Sequence, residues 1–365
     1  MDRAVAQWLS HTSASPGALI ALTKKLNKSY TIYGTMLLLP PTAFQGPEWT
    51  DLEPNIELYK CISSHLKVTH IAINKPIPLH KNLQIEGERE DGDEEKDFNI
   101  LRSPSNFTPL HGDFGPSTCH SPPARGDFES AFWITAKQNG IYQTWAPRWT
   151  MFSRGNISEK ARLLDLASVK KAAEEGGTAV DLYAGIGYFA FSYVKAGIGK
   201  VLCWDLNAWS CEGLLRGARR NKWEAILVNG EDEDLTSAAR HDSRLLVFNQ
   251  SNERAPSSVK AMRKSLPPIR HVNCGMLPNS TSSLEIAVDV LDLSLPGWIH
   301  YHENFLVEEI NQKAEDTRQT VVQIVEAKGT FSVQVEYINR LKNYAPGVMH
   351  CVIDLVIRPE CGPPS

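Results

Sequence analysis

The chain has 365 residues, 42% of them hydrophobic, and a formal net charge of -4. That is enough apolar residue for a sizeable core, arranged as two domains or as one domain with a large appendage. The charge carries no global basic signal for a nucleic-acid partner, although eight acids between Glu86 and Asp97 mask basic surface elsewhere. No apolar run approaches bilayer length and no signal core is evident, so a cytoplasmic protein without a membrane partner is expected. The 7 Cys run from Cys61 to Cys361 with no paired spacing. A disulfide framework or a zinc site does not fit that pattern, and no metal is expected.

Taken in chain order, residues 30–39 (YTIYGTMLLL) read as a strand stopped by Pro40 and Pro41. Residues 56–66 read as an amphipathic helix and 68–73 as a strand. From 86 to 125 the chain is polar, charged and rich in Pro, Gly and Ser, and is expected to be a long loop, disordered in part. A strand pair follows at 131–136 and 140–145. Asn156 and Glu159 have capping-box spacing and open a helix expected to run to Ala172. Then comes an alternation: strand 179–182, helix, strand 201–205, helix 208–220, strand 225–228. A further strand lies at 245–248 or 272–276, and residues 237–270 read as a polar insertion without a clear period. Helix 284–291, strand 298–301, a long helix 305–327 and a strand pair 331–337 and 349–357 complete the chain. This rhythm predicts an α/β protein, an open sheet closed by an antiparallel C-terminal edge, preceded by a smaller α+β domain. The expected division is 1–152 and 153–365.

Residues 178–190, TAVDLYAGIGYFA, carry the most information. A buried strand ends near Asp181, and Gly185 and Gly187 make a tight turn into a helix whose first amides favour a carboxylate or phosphate. The next strand ends in Asp205, where an acid takes ribose hydroxyls in a doubly wound sheet. GIGYFA fits the G-x-G-x-x-A dinucleotide fingerprint, so a nicotinamide cofactor is one reading. A carboxylate four residues before Gly185 would repel a pyrophosphate, whereas S-adenosylmethionine enzymes use an acid there for the amino-acid end. Glu231 and Asp232, after the strand at 225–228, can accept from an adenine amino group. These acids favour S-adenosyl-L-methionine. A glycine turn that merely packs helix on strand is the plain alternative.

Five separated segments, DLYAGIGYF, APRWTMFSRGNISEK, GMLPNS, WIHYHEN and NYAPGVMHCVIDL, together resemble the tRNA wybutosine-synthesising protein 2 family in its fungal form. The resemblance covers the chain from about Tyr30 to its end, outside 86–100 and 237–270. It implies a Rossmann-like S-adenosylmethionine-dependent transferase. That enzyme moves the 3-amino-3-carboxypropyl group to the tricyclic 4-demethylwyosine base 3′ of the anticodon in tRNA-Phe, releasing methylthioadenosine. It implies that Ser153 and Lys160 contact the cofactor, that Asp205 replaces a ribose-binding Glu, and that Glu231 and Asp232 replace an Asp-Asn pair at the adenine. WDLNAWS lacks the family's proline after Asn207. A sister family of the same superfamily methylates guanine N1 and carries Asn-Leu-Pro after the fourth strand. Here VNCGMLPNS resembles the transferase instead, with Pro278 and Asn279 as acceptor-binding candidates. The methylating sister and a non-catalytic RNA-binding relative remain the alternatives.

The methyl carbon of the sulfonium is the least hindered, so transfer of the amino-acid arm requires the protein to orient that arm toward the acceptor. Lys160 is a candidate to hold its carboxylate. His302 and Asp181 are candidate bases for the proton lost from the acceptor carbon, against the plainer reading of His302 as a structural histidine. Tyr188 stacks on a base or is buried. Arg148, Arg154 and Arg162 are candidate phosphate contacts, with Lys137 nearby and Trp133, Trp145 and Trp149 interleaved; those tryptophans are equally a small-domain core. A monomer is expected.

Overall fold

The computed structural model describes residues 1–11, 22–23, 26, 30–45, 49, 54–74, 99, 101, 103–104, 107–228, 234–277 and 280–360. The chain forms two compact units, one of Met1–Ala136 with Trp145–Phe152 and one of Lys137–Thr144 with Ser153–Ser365. In the first unit, α1 (Asp2–Leu9) precedes β1 (Thr31–Tyr33) and β2 (Met36–Leu39). The strand expected over 30–39 is therefore a hairpin, because Gly34 turns the chain at φ +49°. Next comes α2 (Ile56–Leu66), capped by the Asn55 side chain, which accepts from the amides of Glu57 and Leu58. β3 (His70–Asn74) and β4 (Phe107–His111) complete a four-stranded sheet in the order β1-β2-β3-β4. β4 corrects the long-loop expectation for its part of 86–125: apolar Phe107 and Leu110 flank a pairing segment against β3. A short helix α3 (Arg125–Ser130) follows. Trp8, Leu37, Leu39, Trp49, Leu58 and Ile62 are core residues of this unit.

The chain passes between the units within a hairpin, β5 (Ile134–Gln138) and β6 (Ile141–Trp145). The second unit opens with α4 (Ile157–Asp165) and α5 (Ala167–Glu174). These replace the single helix expected through Ala172, because Leu166 is extended at ψ 123°. The Asn156 and Glu159 capping box does not form. Asn156 makes no side-chain cap, and the Glu159 carboxylate turns to Arg162.

From there the unit alternates β7 (Thr178–Asp181), α6 (Ala190–Ala196), β8 (Lys200–Trp204), α7 (Ala208–Arg220), β9 (Ala225–Val228), α8 (Leu235–Arg240), β10 (Leu245–Phe248), α9 (Ala255–Met262), β11 (Ile269–Cys274), α10 (Leu284–Val290), β12 (Gly297–Leu306), α11 (Ile310–Glu326), β13 (Phe331–Ala345) and β14 (Val348–Pro359). The sheet order is β13-β14-β12-β11-β7-β8-β10-β9. β9 through β12 are parallel, and β14 and β13 close the edge antiparallel. Two apolar clusters cover the faces, one around Val180, Leu202, Phe248 and Ile299, the other around Ala179, Phe191, Val201 and Leu214.

Residues 237–270 are not an appended insertion. They supply β10, an interior strand with all four residues buried, and α9, whose Ala255, Val259 and Met262 enter the core. Both strands considered at 245–248 and 272–276 lie in the sheet, the second as β11. The helix expected from Phe305 begins at Ile310, because β12 runs on through Leu306 paired with β14. Among the described residues no helix is long and apolar enough to cross a membrane, and no His, Cys, Asp or Glu cluster could hold a metal ion.

Candidate functional site

Parallel strands put the following loops at one edge of the sheet, where ligands of this architecture bind. β7 lies between β8 and β11, with Asp181 opposite Cys203 on one side and Asn273 on the other. Past β7 the chain turns through Gly185 and Gly187 at φ +55° and +86°. A Cβ at Gly185 would meet the Tyr188 ring at 2.8 Å, and one at Gly187 the Phe191 ring at 2.7 Å, so both positions exclude a side chain. The turn is bonded to the end of β8: Ala184 N donates to the Trp204 carbonyl at 2.9 Å, and Gly185 N donates to the Asp205 carboxylate at 2.8 Å.

Asp205 is half-buried, and its second oxygen accepts from Asn207 N at 2.8 Å. Burial raises its pKa to about 6, while the two amides oppose that rise. Each oxygen accepts one described amide and keeps lone-pair capacity for a ribose hydroxyl. The turn and acid fit the nucleoside end of S-adenosylmethionine.

Asp181 is placed differently from expectation. Its carboxylate is fully buried and accepts from Tyr183 N at 3.3 Å, Ala190 N at 3.1 Å and Asn273 Nδ2 at 3.4 Å. It thus satisfies an amide at the start of α6, which the sequence reading offered to a ligand. Burial raises its pKa to about 7, suited to proton transfer, but the side chain is sealed behind the glycine turn in this conformation. Its role in the structure is to lock β7, β11 and α6 around that turn.

Ser153 and Lys160 do converge on the turn. Ser153 N donates to the Tyr188 hydroxyl at 3.0 Å. Lys160 is 3% exposed, and its Nζ donates to Gln138 Oε1 at 2.5 Å and Gln143 Oε1 at 2.9 Å. The Gln143 amide reaches on to the Gly187 carbonyl at 3.4 Å, and Nζ stands 5.5 Å from the centre of the Tyr188 ring. Burial lowers the lysine pKa to about 8. Gln138 and Gln143 are both neutral amides, which accept from the ammonium without neutralising it. Gln138 and Gln143 were not singled out from sequence, because beside Lys137, Asn139 and Thr144 they read as ordinary polar residues of a hairpin.

His302 is 1% exposed on β12, 3.2 Å from His350 and 4.9 Å ring to ring from Phe189. Burial lowers its pKa to about 3, which makes it a weak proton acceptor and favours the structural reading. The loop after β11 is held by Ser280, whose hydroxyl accepts from Met276 N at 3.1 Å. It has the carbonyls of Met276, Cys274 and His302 within 2.8, 2.9 and 3.3 Å, and can donate to one of them at a time. Glu231, Asp232, Pro278 and Asn279 lie outside the described residues.

The three arginines separate. Arg148 is half-buried and belongs to the first unit; Arg154 is exposed and belongs to the second. Arg162 turns inward, which corrects its reading as a phosphate contact. Its guanidinium donates to both oxygens of Glu159 and to Asp354 at 2.5 and 3.0 Å, and those two carboxylates are buried. Asp354 also meets His300 Nδ1 at 2.7 Å, and His300 meets His271 at 3.1 Å. Trp145 is 2% exposed and stacks on Phe152 at 4.4 Å, so it is core of the first unit.

A glycine turn tied to an acid at the end of the second strand, inside a parallel sheet with an antiparallel edge, defines a Rossmann-like transferase that uses S-adenosylmethionine. The TRM5/TYW2 methyltransferase domain matches residues 135–262. The tRNA wybutosine-synthesizing protein 2 of Schizosaccharomyces pombe is 37% identical over 334 residues, which are 89% of this chain and 72% of that protein. The chain belongs to the tRNA wybutosine-synthesizing protein 2 family. The Saccharomyces cerevisiae relative is 29% identical over 338 residues, covering 84% of this chain and 62% of that protein. In fold, the chain is similar to P. horikoshii TYW2 in complex with MeSAdo, with a TM-score of 0.61 at 18% identity over 98% of this chain and 99% of that one. It is also similar to M. jannaschii tRNA m1G37 methyltransferase, with a TM-score of 0.53 at 15% identity over 95% and 80%.

Proposed function

We propose that this chain transfers the 3-amino-3-carboxypropyl group of S-adenosylmethionine to the 4-demethylwyosine base 3′ of the anticodon of tRNA-Phe, in wybutosine biosynthesis. The observation that carries this reading is the meeting of Ser153, Lys160 and Tyr188 at the Gly185–Gly187 turn. It puts a buried ammonium beside the turn that would hold the donor. S-adenosylmethionine supplies an electrophilic carbon next to a sulfonium. The acceptor carbon forms the new carbon–carbon bond, the carbon–sulfur bond breaks with its electron pair on sulfur, and the acceptor ring gives up a proton. Lys160 holds the arm's carboxylate, Asp205 the ribose, and the loop after Cys274 shapes the acceptor pocket. Orientation, rather than a strong base, supplies the selectivity for the arm over the methyl. Arg148 and Arg154 contact tRNA phosphates, and the first unit faces the tRNA. The protein acts as a cytoplasmic monomer.

The test is product identity. Incubation with labelled donor and hypomodified tRNA-Phe should release methylthioadenosine and add an aminocarboxypropyl mass to the tRNA. Release of S-adenosylhomocysteine with a methylated guanosine would overturn the reading in favour of the sister activity.

A further inference from the structure

β11 ends at Cys274, opposite Tyr301, but β12 runs on to Leu306 with β14 beside it. This overhang stands at the edge of the sheet where the loops after the parallel strands gather. Within it Asn304 lies opposite His350 of β14, and His350 lies opposite Lys342 of β13. Residues directly opposite one another share a face of the sheet, so the three make a polar row across three strands. The β13 register shifts on both sides of Lys342, between Arg340 and Lys342 and between Asn343 and Ala345. Bulges of this kind re-aim side chains beside binding sites. The row is not satisfied from within. Asn304 is 5% exposed, and neither its Nδ2 nor its Oδ1 has a hydrogen-bond partner. His350 is buried and meets His302 at 3.2 Å through Nε2, which leaves its Nδ1 unpaired. Lys342 is half-buried; burial lowers its pKa and no carboxylate opposes that fall. A buried carboxamide with nothing to bond destabilises the chain that carries it, unless a ligand takes up the bonds. At the β13 end of the row, a Cβ at Gly155 would collide with Lys342 Nζ, so the ammonium packs on the segment leading from Ser153 into α4. At the β12 end, Ser280 has the His302 carbonyl at 3.3 Å, which ties the loop after β11 to the overhang. The row therefore joins the segment of Ser153 to the acceptor loop.

We propose that this row reads the acceptor base from the edge that its third ring leaves free. The tricyclic base is closed across N1 and the exocyclic nitrogen of a guanine, which removes the Watson–Crick edge. The carbonyl oxygen and N7 of the parent guanine remain, and both are acceptors. Asn304 donates its amide to N7, and Lys342 donates its ammonium to the carbonyl oxygen. His350, fixed by His302, spaces the two. This inference rests on the acceptor reading above and assigns the edge by which the base is recognised.

The experiment is filter binding of three anticodon stem-loops of tRNA-Phe, with guanosine, 7-deazaguanosine or 2-aminopurine at the acceptor position. The second base lacks N7 and the third lacks the carbonyl oxygen. The wild-type chain should bind the guanosine stem-loop about fivefold to tenfold more tightly than the 7-deaza one, the worth of one neutral hydrogen bond. Against 2-aminopurine, where the donor is charged, the preference should be about tenfold or more. Asn304→Leu should cut the first preference to about twofold or less and keep the second, and Lys342→Met should do the reverse. Asn304→Leu also removes two unmade bonds, so its thermal melt should stay at or above the wild-type temperature. Preferences unchanged in both variants would overturn the inference. So would a melt of Asn304→Leu well below wild type, which makes the carboxamide structural, or an equal loss on all three RNAs in Lys342→Met, which makes the lysine a phosphate contact. Absence of wild-type binding to all three likewise overturns it. Equal wild-type affinity for the three sinks base reading and leaves the transfer reading standing. Methylated guanosine with S-adenosylhomocysteine would remove the transfer reading and leave this test intact, because guanosine offers the same edge.

Discussion

Replacing Lys160 by methionine keeps the length of a side chain that is 3% exposed and removes only its charge and donors. Burial lowers the lysine pKa from 10.5 to about 8. At about 1.4 kcal/mol per unit, the folded chain bears about 3 kcal/mol to keep the ammonium charged at neutral pH. The folded value lies below the unfolded one, so the unfolded chain binds more protons between pH 8 and 10.5. Wild-type stability should rise across that window, and Lys160→Met should lack the rise. Binding adds the opposite requirement: a donor carboxylate favours the charged lysine, so affinity for S-adenosylmethionine should fall as pH climbs above about 8. A hydrogen bond to a charged group contributes about 1.5–3 kcal/mol, so the variant should bind S-adenosylmethionine roughly 10- to 100-fold more weakly. Methylthioadenosine, without the amino-acid arm, should lose less than about twofold. Calorimetry from about pH 7 to about pH 10 reads both effects. The donor's own amino group titrates there too, but equally in wild type and variant, so the difference between their curves isolates Lys160. Equal losses for both ligands, or parallel pH curves, would refute the placement of Lys160 at the carboxylate.

Asp205→Ala should weaken both ligands alike, by about 1–3 kcal/mol in the same calorimeter, because ribose is common to them. Asp354→Ala leaves Arg162 and His300 without their shared carboxylate. It should cost about 3–5 kcal/mol in a denaturant melt. Arg162 and His300 hold the Asp354 pKa at about 2 against an ordinary 3.8. Their contribution is therefore complete above pH 3.8, is lost as pH falls toward 2, and should be missing from the acid limb of the variant. Arg154→Glu should reduce tRNA affinity in a filter-binding assay and flatten its salt dependence, with donor affinity unchanged.

Much of the fold could be read from the sequence wherever local signals agree. Helices 56–66 and 208–220 were placed to the residue; in the structure Asn55 caps the first, and Asn207 accepts from Trp209 N at the start of the second. The glycine turn and Asp205 were legible because glycine favours positive φ and leaves room for the Tyr188 and Phe191 rings, and because the acid ends its strand. The strand at 245–248 was offered with its bounds, but not its place: four apolar residues in polar surroundings do not announce an interior strand, and the segment around it read as an insertion. The far half of β12 was missed because the polar run His302, Glu303 and Asn304 carries no strand pattern, yet His302 and Asn304 are buried and the run pairs with β14. Lys160 was legible as a residue but not as an environment, because Gln138 and Gln143 reach it from a hairpin. The inward turn of Arg162 had no local signature at all, its partner Asp354 being 192 positions away.

That separation bears on the order in which the molecule is made. Helix α4 carries Lys160 and, two residues on, the arginine whose counter-charge sits on β14. During synthesis β7, β8 and the glycine turn emerge well before β14, and contacts across such sequence distances form late. A nascent chain halted before position 354 would hold Glu159 and Arg162 on α4 without the carboxylate that completes their triad. The ion pairs that tie α4 to the sheet are thus completed only when the final strand pairs with β12, which makes the antiparallel edge the last element to brace the helix that carries Lys160.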